Sequence, residues 1–219
     1  MLDNPFIAPI CHEQIKIIYQ DDALLLIDKP TGLLSLSGKN PANLDSVHHR
    51  IVQIFPNANL VHRLDLGTSG LLIIALTKAV NGHIGKQFQD GTVTRTYTAI
   101  LDGIVKEDEG VIDVPIAKGI FPLQKVCYET GKQAATHYQV LERNLTTQTT
   151  RVLFKPITGR THQLRVHSTH IGHPILGCDL YATEQAFKKA SRMTLHATTI
   201  SFEHPDTGGL IDALCPAPF

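Results

Sequence analysis

The chain carries no excess charge: Lys plus Arg and Asp plus Glu number 20 each. A strongly basic domain would advertise phosphate contacts over its whole surface, so any polyanion site here has to be a local patch. Cysteine is scarce. Cys11, Cys127, Cys178 and Cys215 are scattered without a C-x-x-C pair, which argues against a disulfide framework or a cysteine zinc site and fits a reducing cytosol. Long apolar runs are missing as well. The longest, such as "LLIIAL", fall far short of the roughly 20 residues that span a bilayer. The start "MLDNPFIAPICHEQ" has no charged region leading into an apolar one, so neither a secretory signal nor a membrane span is expected. Phosphate-cradling motifs are absent too: there is no G-x-x-x-x-G-K-[ST] and no G-x-G-x-x-G. "GTSGL" has Leu71 where a serine-hydrolase elbow needs glycine. No repeat, low-complexity tract or Pro/Gly/Ser-rich linker marks a domain boundary, so one domain over residues 1–219 is expected.

What is present is a chain of 42% hydrophobic content, enough for a sizeable core. "IKIIYQDDALLLIDK", Ile15 to Lys29, gives two β-rich runs around Gln20, Asp21 and Asp22, a hairpin signal. "NPANLDSVHHRIVQIFP" spaces Leu44, Val47, Ile51 and Ile54 near the helical period, with Asp45 and Ser46 near its start. "LLIIAL" reads as a buried strand, and "TKAVNGHIGKQFQDG" as a helix opening at Thr77 and stopping by Gly91. "VTRTYTAIL", "GVIDVPIA", "AATHYQVLE", "TRVLFKPI", "MTLHATTISFE" and "LIDALC" are further strand candidates, and "GRTHQLRVHSTHIG", Gly159 to Gly172, has helical character. Many strands joined by short turns, with only a few helices and no regular βαβ alternation, predict an α+β fold around a mixed, largely antiparallel sheet with flanking helices and loops.

Four groups of residues suggest chemistry. In "HRLDLGTSG", His62 to Gly70, a carboxylate sits in a glycine-bearing turn just before a buried strand. Asp65 is then either a nucleophile or general acid/base presented on a rigid scaffold, or a loop aspartate that bonds its own turn and pairs with Arg63. "KPITGRTHQLRVH" gathers Lys155, Arg160, His162, Arg165 and His167. On a helix Arg165 lies one turn on from Thr161 with Leu164 beside it, and an arginine set against a carboxylate keeps it ionised. The alternative is a solvated charged face. His167, His170 and His173 follow an H-x-x-H-x-x-H spacing, but H-E-x-x-H is absent and Pro174 ends the helix near His173, so no metal site is expected. Finally, Arg95 and Tyr97 are two apart on a strand and share a face, where they could cradle a base and its phosphate or merely pack.

These residues carry a resemblance. "VHRLDLGTSGLLIIALTK", Val61 to Lys78, resembles the H-R-L-D signature of the RluA family of pseudouridine synthases, and "DKPTGLLS", "RTYTAIL", "KPITGRTHQLRVH" and "GHPILG" match further segments in the family's order. The resemblance implies the pseudouridine synthase fold and isomerisation of uridine to pseudouridine in RNA, without cofactor or metal; a cytoplasmic, monomeric enzyme is expected. It implies that Asp65 is the catalytic aspartate, Tyr97 the active-site tyrosine and Arg165 the basic residue paired with the aspartate. Leu164 would line the pocket, Arg63 would occupy the place of the flipped base, and His62, Arg95, Lys155 and Arg160 would complete the substrate-binding set. "KVCYETGKQAATHYQV" and the overall length are similar to the subgroup acting on both 23S rRNA and a tRNA anticodon stem-loop. About 14 residues precede the first strand, too few for the S4 RNA-binding module that other members carry. With zero net charge, RNA binding requires a segregated surface, expected from Arg63, Arg95, Lys125, Lys132, Lys155, Arg160 and Arg165, with Asp108 and Glu109 elsewhere. A noncatalytic RNA-binding or ribosome-assembly protein on the same fold is the competing expectation.

Overall fold

A computed structural model describes residues 6–219. They form two compact units, one from the residues up to Val93 together with Thr199–Pro216, the other from Thr94–Thr198 with Ala217–Phe219.

In the first unit, strands β1 (Lys16–Gln20) and β2 (Leu24–Lys29) form the expected antiparallel hairpin. Asp21 closes it, its carboxylate accepting the amides of Ala23 and Leu24. β2 pairs with β4 (Ser69–Ala75), against which the two-residue β3 (Asn59–Leu60) also pairs. Every residue of β4 is buried, which is why "LLIIAL" shows no alternation: a central strand covered on both faces has no polar side to write. Between β2 and β3 lie a 3-10 turn (Pro41–Asn43) and the short helix α1 (Val47–Val52), whose cap Ser46 accepts the His49 amide. Helix α2 (Lys78–Asp90) follows β4. Thr77 caps it by accepting the Val80 amide, and Gly91, at φ 73°, ends it in the left-handed conformation. The later half of β11 (Leu195–Glu203) and β12 (Leu210–Leu214) complete the unit.

The second unit is a run of antiparallel pairings in the order β5 (Thr94–Asp102), β10 (Thr149–Pro156), β9 (Ala135–Asn144), β6 (Glu109–Asp113). Its core gathers Ala99, Leu101, Val152, Phe154, Leu164, Ile175 and Leu195. A separate small hairpin is made of β7 (Ile116–Lys118) and β8 (Gln124–Val126). "GVIDVPIA" was expected as one strand. Pro115 divides it into β6 and β7, because proline supplies no amide to a ladder. Helix α3 (Gln163–His170) is shorter than the Gly159–Gly172 stretch suggested, and α4 (Glu184–Lys188), a single turn capped by Thr183, was not foreseen. The α+β class and the largely antiparallel sheet stand as expected.

Gly177 seats α4 on this unit. Its amide donates to the Ala186 carbonyl at 3.2 Å, its φ is +67°, and a β-carbon there would lie 2.1 Å from the Arg192 carbonyl oxygen. Gly177→Ala therefore meets both backbone strain and an immovable neighbour. We expect a loss of at least about 2 kcal/mol, read from urea unfolding midpoints; a loss under half of that would contradict the packing described.

Candidate active site

In the first unit the segment "DKPTGLLS" and the loop carrying Asp65 are fastened to each other through backbone carbonyls. Lys29 is completely buried, and its ammonium donates to the carbonyls of Pro30 at 2.8 Å, Leu33 at 2.7 Å and Leu66 at 3.2 Å. Three acceptors match the three protons of an ammonium, the condition under which a lysine tolerates full burial. The Gly32 amide also donates to the Leu66 carbonyl at 2.9 Å, and the Thr31 hydroxyl donates to that of Gly67 at 2.8 Å. On the other side of the aspartate, the Ser35 hydroxyl donates to the Leu64 carbonyl at 2.7 Å and accepts the Leu64 amide at 3.1 Å. The peptides flanking Asp65 are thus fixed on both sides.

Within this frame the side chains separate by direction. Leu64 is buried and plugs the loop into the core, Asp65 is half-buried, and Arg63 is exposed. The Asp65 carbonyl accepts the Thr68 amide at 3.1 Å, closing the turn. His62 accepts the Ile73 amide on Nε2 at 3.2 Å, and its ring lies 4.9 Å from that of Phe88. This bond ties the imidazole to the buried strand β4 and so braces the loop.

The second unit holds the remaining candidates. Arg95 and Tyr97 lie on β5, Tyr97 packing partly against the core, while Arg95 donates to the Thr158 carbonyl at 3.3 Å. Thr158 opens the turn into α3, and Gln163 locks it. The Gln163 amide oxygen accepts the Thr158 hydroxyl at 2.7 Å and the Arg160 amide at 2.9 Å, and its nitrogen donates to the Ala135 carbonyl and the Thr136 hydroxyl, both at 3.0 Å. All four bonding positions of a buried side-chain amide are used. His162 enters the helix at φ 55°, an uncommon conformation for a residue with a β-carbon. One turn of α3 carries both Leu164, buried in the core, and Arg165, only 4% exposed. Lys155 and Arg160 are exposed, Arg160 donating to the Gln133 carbonyl at 2.9 Å.

The Arg165 guanidinium is held from several directions. It donates to the Asp179 carboxylate at 2.7 Å and to the Cys178 sulfur at 3.3 Å, and it lies 5.1 Å from the centre of the Tyr181 ring. Sequence reasoning passed over Asp179, Tyr181, Gln163 and Lys29. The quoted segment "GHPILG" ends two residues short of Asp179, and a loop that returns to a helix leaves no periodic signal. Lys29 was inside a quoted motif, yet its type suggested a surface charge.

The histidine spacing does not gather three ligands. His167 is buried, with Nδ1 at 3.0 Å from the Thr136 hydroxyl and Nε2 at 3.2 Å from the Val114 carbonyl, His170 is exposed, and Nδ1 of His173 lies 2.8 Å from the Asp102 carbonyl. Burial, aided by His170, holds the His167 imidazole below its ordinary 6.5 against the opposing pull of the Val114 carbonyl and Asp113.

Two outcomes are expected. Lys29→Met leaves three carbonyls without their donor and should cost about 2–4 kcal/mol in urea unfolding, less the desolvation that methionine avoids. For His167, whose pKa falls on folding, the unfolded chain takes the proton first, so stability is unaffected above pH 6.5 and declines as pH drops through that value. The fall in unfolding free energy between pH 7.5 and 5 should be smaller in His167→Gln than in the parent chain.

The profile of the RNA pseudouridylate synthase family matches residues 23–170. The dual-specificity RNA pseudouridine synthase RluA of Yersinia pestis is 46% identical over 205 residues, covering 93% of this chain and 99% of that one. Its namesake from Escherichia coli strain K12 is 44% identical over 207 residues, 94% of each. Among solved structures, human RNA pseudouridylate synthase domain containing 1 superposes with a TM-score of 0.80 at 29% identity, over 96% of this chain and 86% of that one. This chain belongs to the RNA pseudouridylate synthase family, the isomerases that form pseudouridine in RNA.

Proposed function

We propose that the chain is a cytoplasmic, monomeric, dual-substrate enzyme that isomerises uridines in 23S rRNA and in a tRNA anticodon stem-loop, with Asp65 as the reacting carboxylate. The observation that carries the assignment to Asp65 is the fastening of the Leu64, Leu66 and Gly67 peptides around it, which holds one half-buried carboxylate still on a loop with glycine beside it. The two RNA classes follow the printed names of the relatives, which describe dual-specificity enzymes. Four free cysteines suit a reducing compartment.

The target uracil first leaves the stack, at a cost of a few kcal/mol that pocket contacts offset. Arg63, exposed two residues before Asp65, fills the gap it leaves. The bond from C1′ to N1 then breaks, the base turns, a bond forms from C1′ to C5, and the C5 proton is lost while N1 gains one. One bond replaces another with no net oxidation, so no electron carrier enters. Attack on C1′ and removal of a sugar proton both start from an ionised carboxylate, and Arg165 is the cation assigned to keep it so. Tyr97 stacks on the base and Leu164 lines the pocket, while His62, Arg95, Lys155 and Arg160 complete the contacts to the RNA. RNA is recognised through the shape of a stem-loop and its splayed bases.

The test is tritium release from RNA labelled at uracil C5, using a tRNA transcript and a 23S fragment. The parent chain should release label from both, and Asp65→Asn should fall by at least about a thousandfold while still binding RNA, as expected for loss of the group that reacts. Release from one RNA alone would overturn the dual substrate. Tight binding without release from either would establish the noncatalytic alternative.

A further inference from the structure

The Tyr181 side chain meets two different parts of the second unit with its two ends. Its ring faces the Arg165 guanidinium at 5.1 Å. Its hydroxyl accepts the Gln124 amide at 2.9 Å and shares a 2.7 Å hydrogen bond with Nδ1 of His162. Gln124 is the first residue of β8 and pairs with Lys118, so the hydroxyl grips the β7–β8 hairpin just below its tip, and His162 is the left-handed residue from which α3, and hence Arg165, springs.

The hairpin itself turns apolar and cationic side chains to solvent. Its tip is closed by bonds from the Gly119 amide to the Leu123 carbonyl and from the Leu123 amide to the Ile120 carbonyl. It presents Ile120 at 86% and Phe121 at 90% exposure, with Lys118 and Lys125 exposed on its two strands. An exposed aromatic flanked by lysines is suited to stacking on an unpaired base while the cations meet phosphate. In an RNA isomerase the occupant with matching charge is the substrate RNA.

We propose that Tyr181 is a positioning residue with separable duties: the hydroxyl holds the hairpin in its RNA-binding attitude, and the ring holds Arg165 for the chemical step. The proposal rests on the role given to Arg165 above. A ring over a guanidinium limits its tilt, while Asp179 fixes one edge of the fork. Removing only the hydroxyl therefore weakens binding, and removing the ring also slows the reaction.

Steady-state tritium release on the tRNA transcript separates the two. Tyr181→Phe should raise KM about fivefold, the worth of a lost hydrogen bond, and leave kcat within about twofold of the parent. Tyr181→Leu should show the same KM and a kcat lower by at least about tenfold, rescued by the phenylalanine variant. Phe121→Ser should raise KM alone. Combined with Tyr181→Phe, it should raise KM less than the product of the two single effects, since both act through one hairpin. Equal kcat in the Phe and Leu variants would overturn the duty of the ring, and fully multiplicative KM effects would overturn that of the hydroxyl. Arg165→Ala runs alongside. A kcat unchanged there overturns the role of Arg165 itself, whereas a low kcat there with a normal one in Tyr181→Leu overturns only the positioning by Tyr181. Should the leucine variant fail to fold, Tyr181→Met takes its place and the phenylalanine arm stands unaffected.

Discussion

The ammonium of Lys29 lies wholly out of water and points at three carbonyls, one of which belongs to Leu66, the residue after Asp65. A cation in such a place is costly unless its protons are all matched, and that cost is what makes the arrangement rigid. A neutral donor lost from a carbonyl costs little if water can replace it. Lys29 is sealed from water, so any movement of the Leu66 peptide strands part of a buried charge. The hydroxyls of Thr31 and Ser35 add direction at Gly67 and Leu64. The loop gains stillness from the backbone, to which the Asp65 carbonyl adds by accepting the Thr68 amide.

The second unit solves a similar problem with a neutral group. Gln163 can donate twice and accept twice, and it does all four toward the turn before α3 and toward β9. An amide suits this place because its partners include both donors and acceptors, where an ammonium could satisfy only acceptors. His162 is held in an unfavourable backbone state at the same turn. Strain of this kind persists only where surroundings over-determine it, and here the Tyr181 hydroxyl and the Gln163 bonds do so. The result is an α3 whose first turn cannot rotate, with Leu164 in the core and Arg165 beside it.

How far the sequence discloses this depends on range. Helix α2 could be read to the residue, because a threonine cap and a left-handed glycine end are local chemistry. The buried strand β4 was equally plain, since seven apolar or small residues in succession leave no other place for it. Pro115 was visible but its consequence was missed, although the missing amide is a local fact too. The three-residue β8 and the single turn α4 are shorter than any period that could betray them. Contacts made by loops fared worst. Asp179 lies 14 residues beyond Arg165, and nothing in their spacing says that the chain turns back. Lys29 misled because lysine is almost always a surface residue, and its burial depends on carbonyls that no side-chain pattern records. Asp65, Tyr97 and Arg165 stood out through family resemblance, whereas the groups that hold them in place had to be read from the fold.

Part of the balanced charge is taken up in ion pairs. Several acids are spent on cations outside the candidate site: Asp45 on Arg50, Asp108 on Arg143, Asp102 on Lys189 and Glu184 on Lys188. The Arg50 pair is close enough to hold the Asp45 carboxyl below its usual range, chiefly through the hydrogen bond from the guanidinium. Among the described residues, Arg63, Lys125, Lys132 and Lys155 enter no ion pair and lie exposed. Pairing removes acids and cations one for one, so it mutes the field at those places, because an acid bound to its own cation contributes little field beyond a Debye length. A phosphate backbone approaching the exposed lysines meets charge not already neutralised by a neighbour, and displaces counterions rather than carboxylates. Where a single exposed cation stands is set by the fold, and no count of residues discloses it.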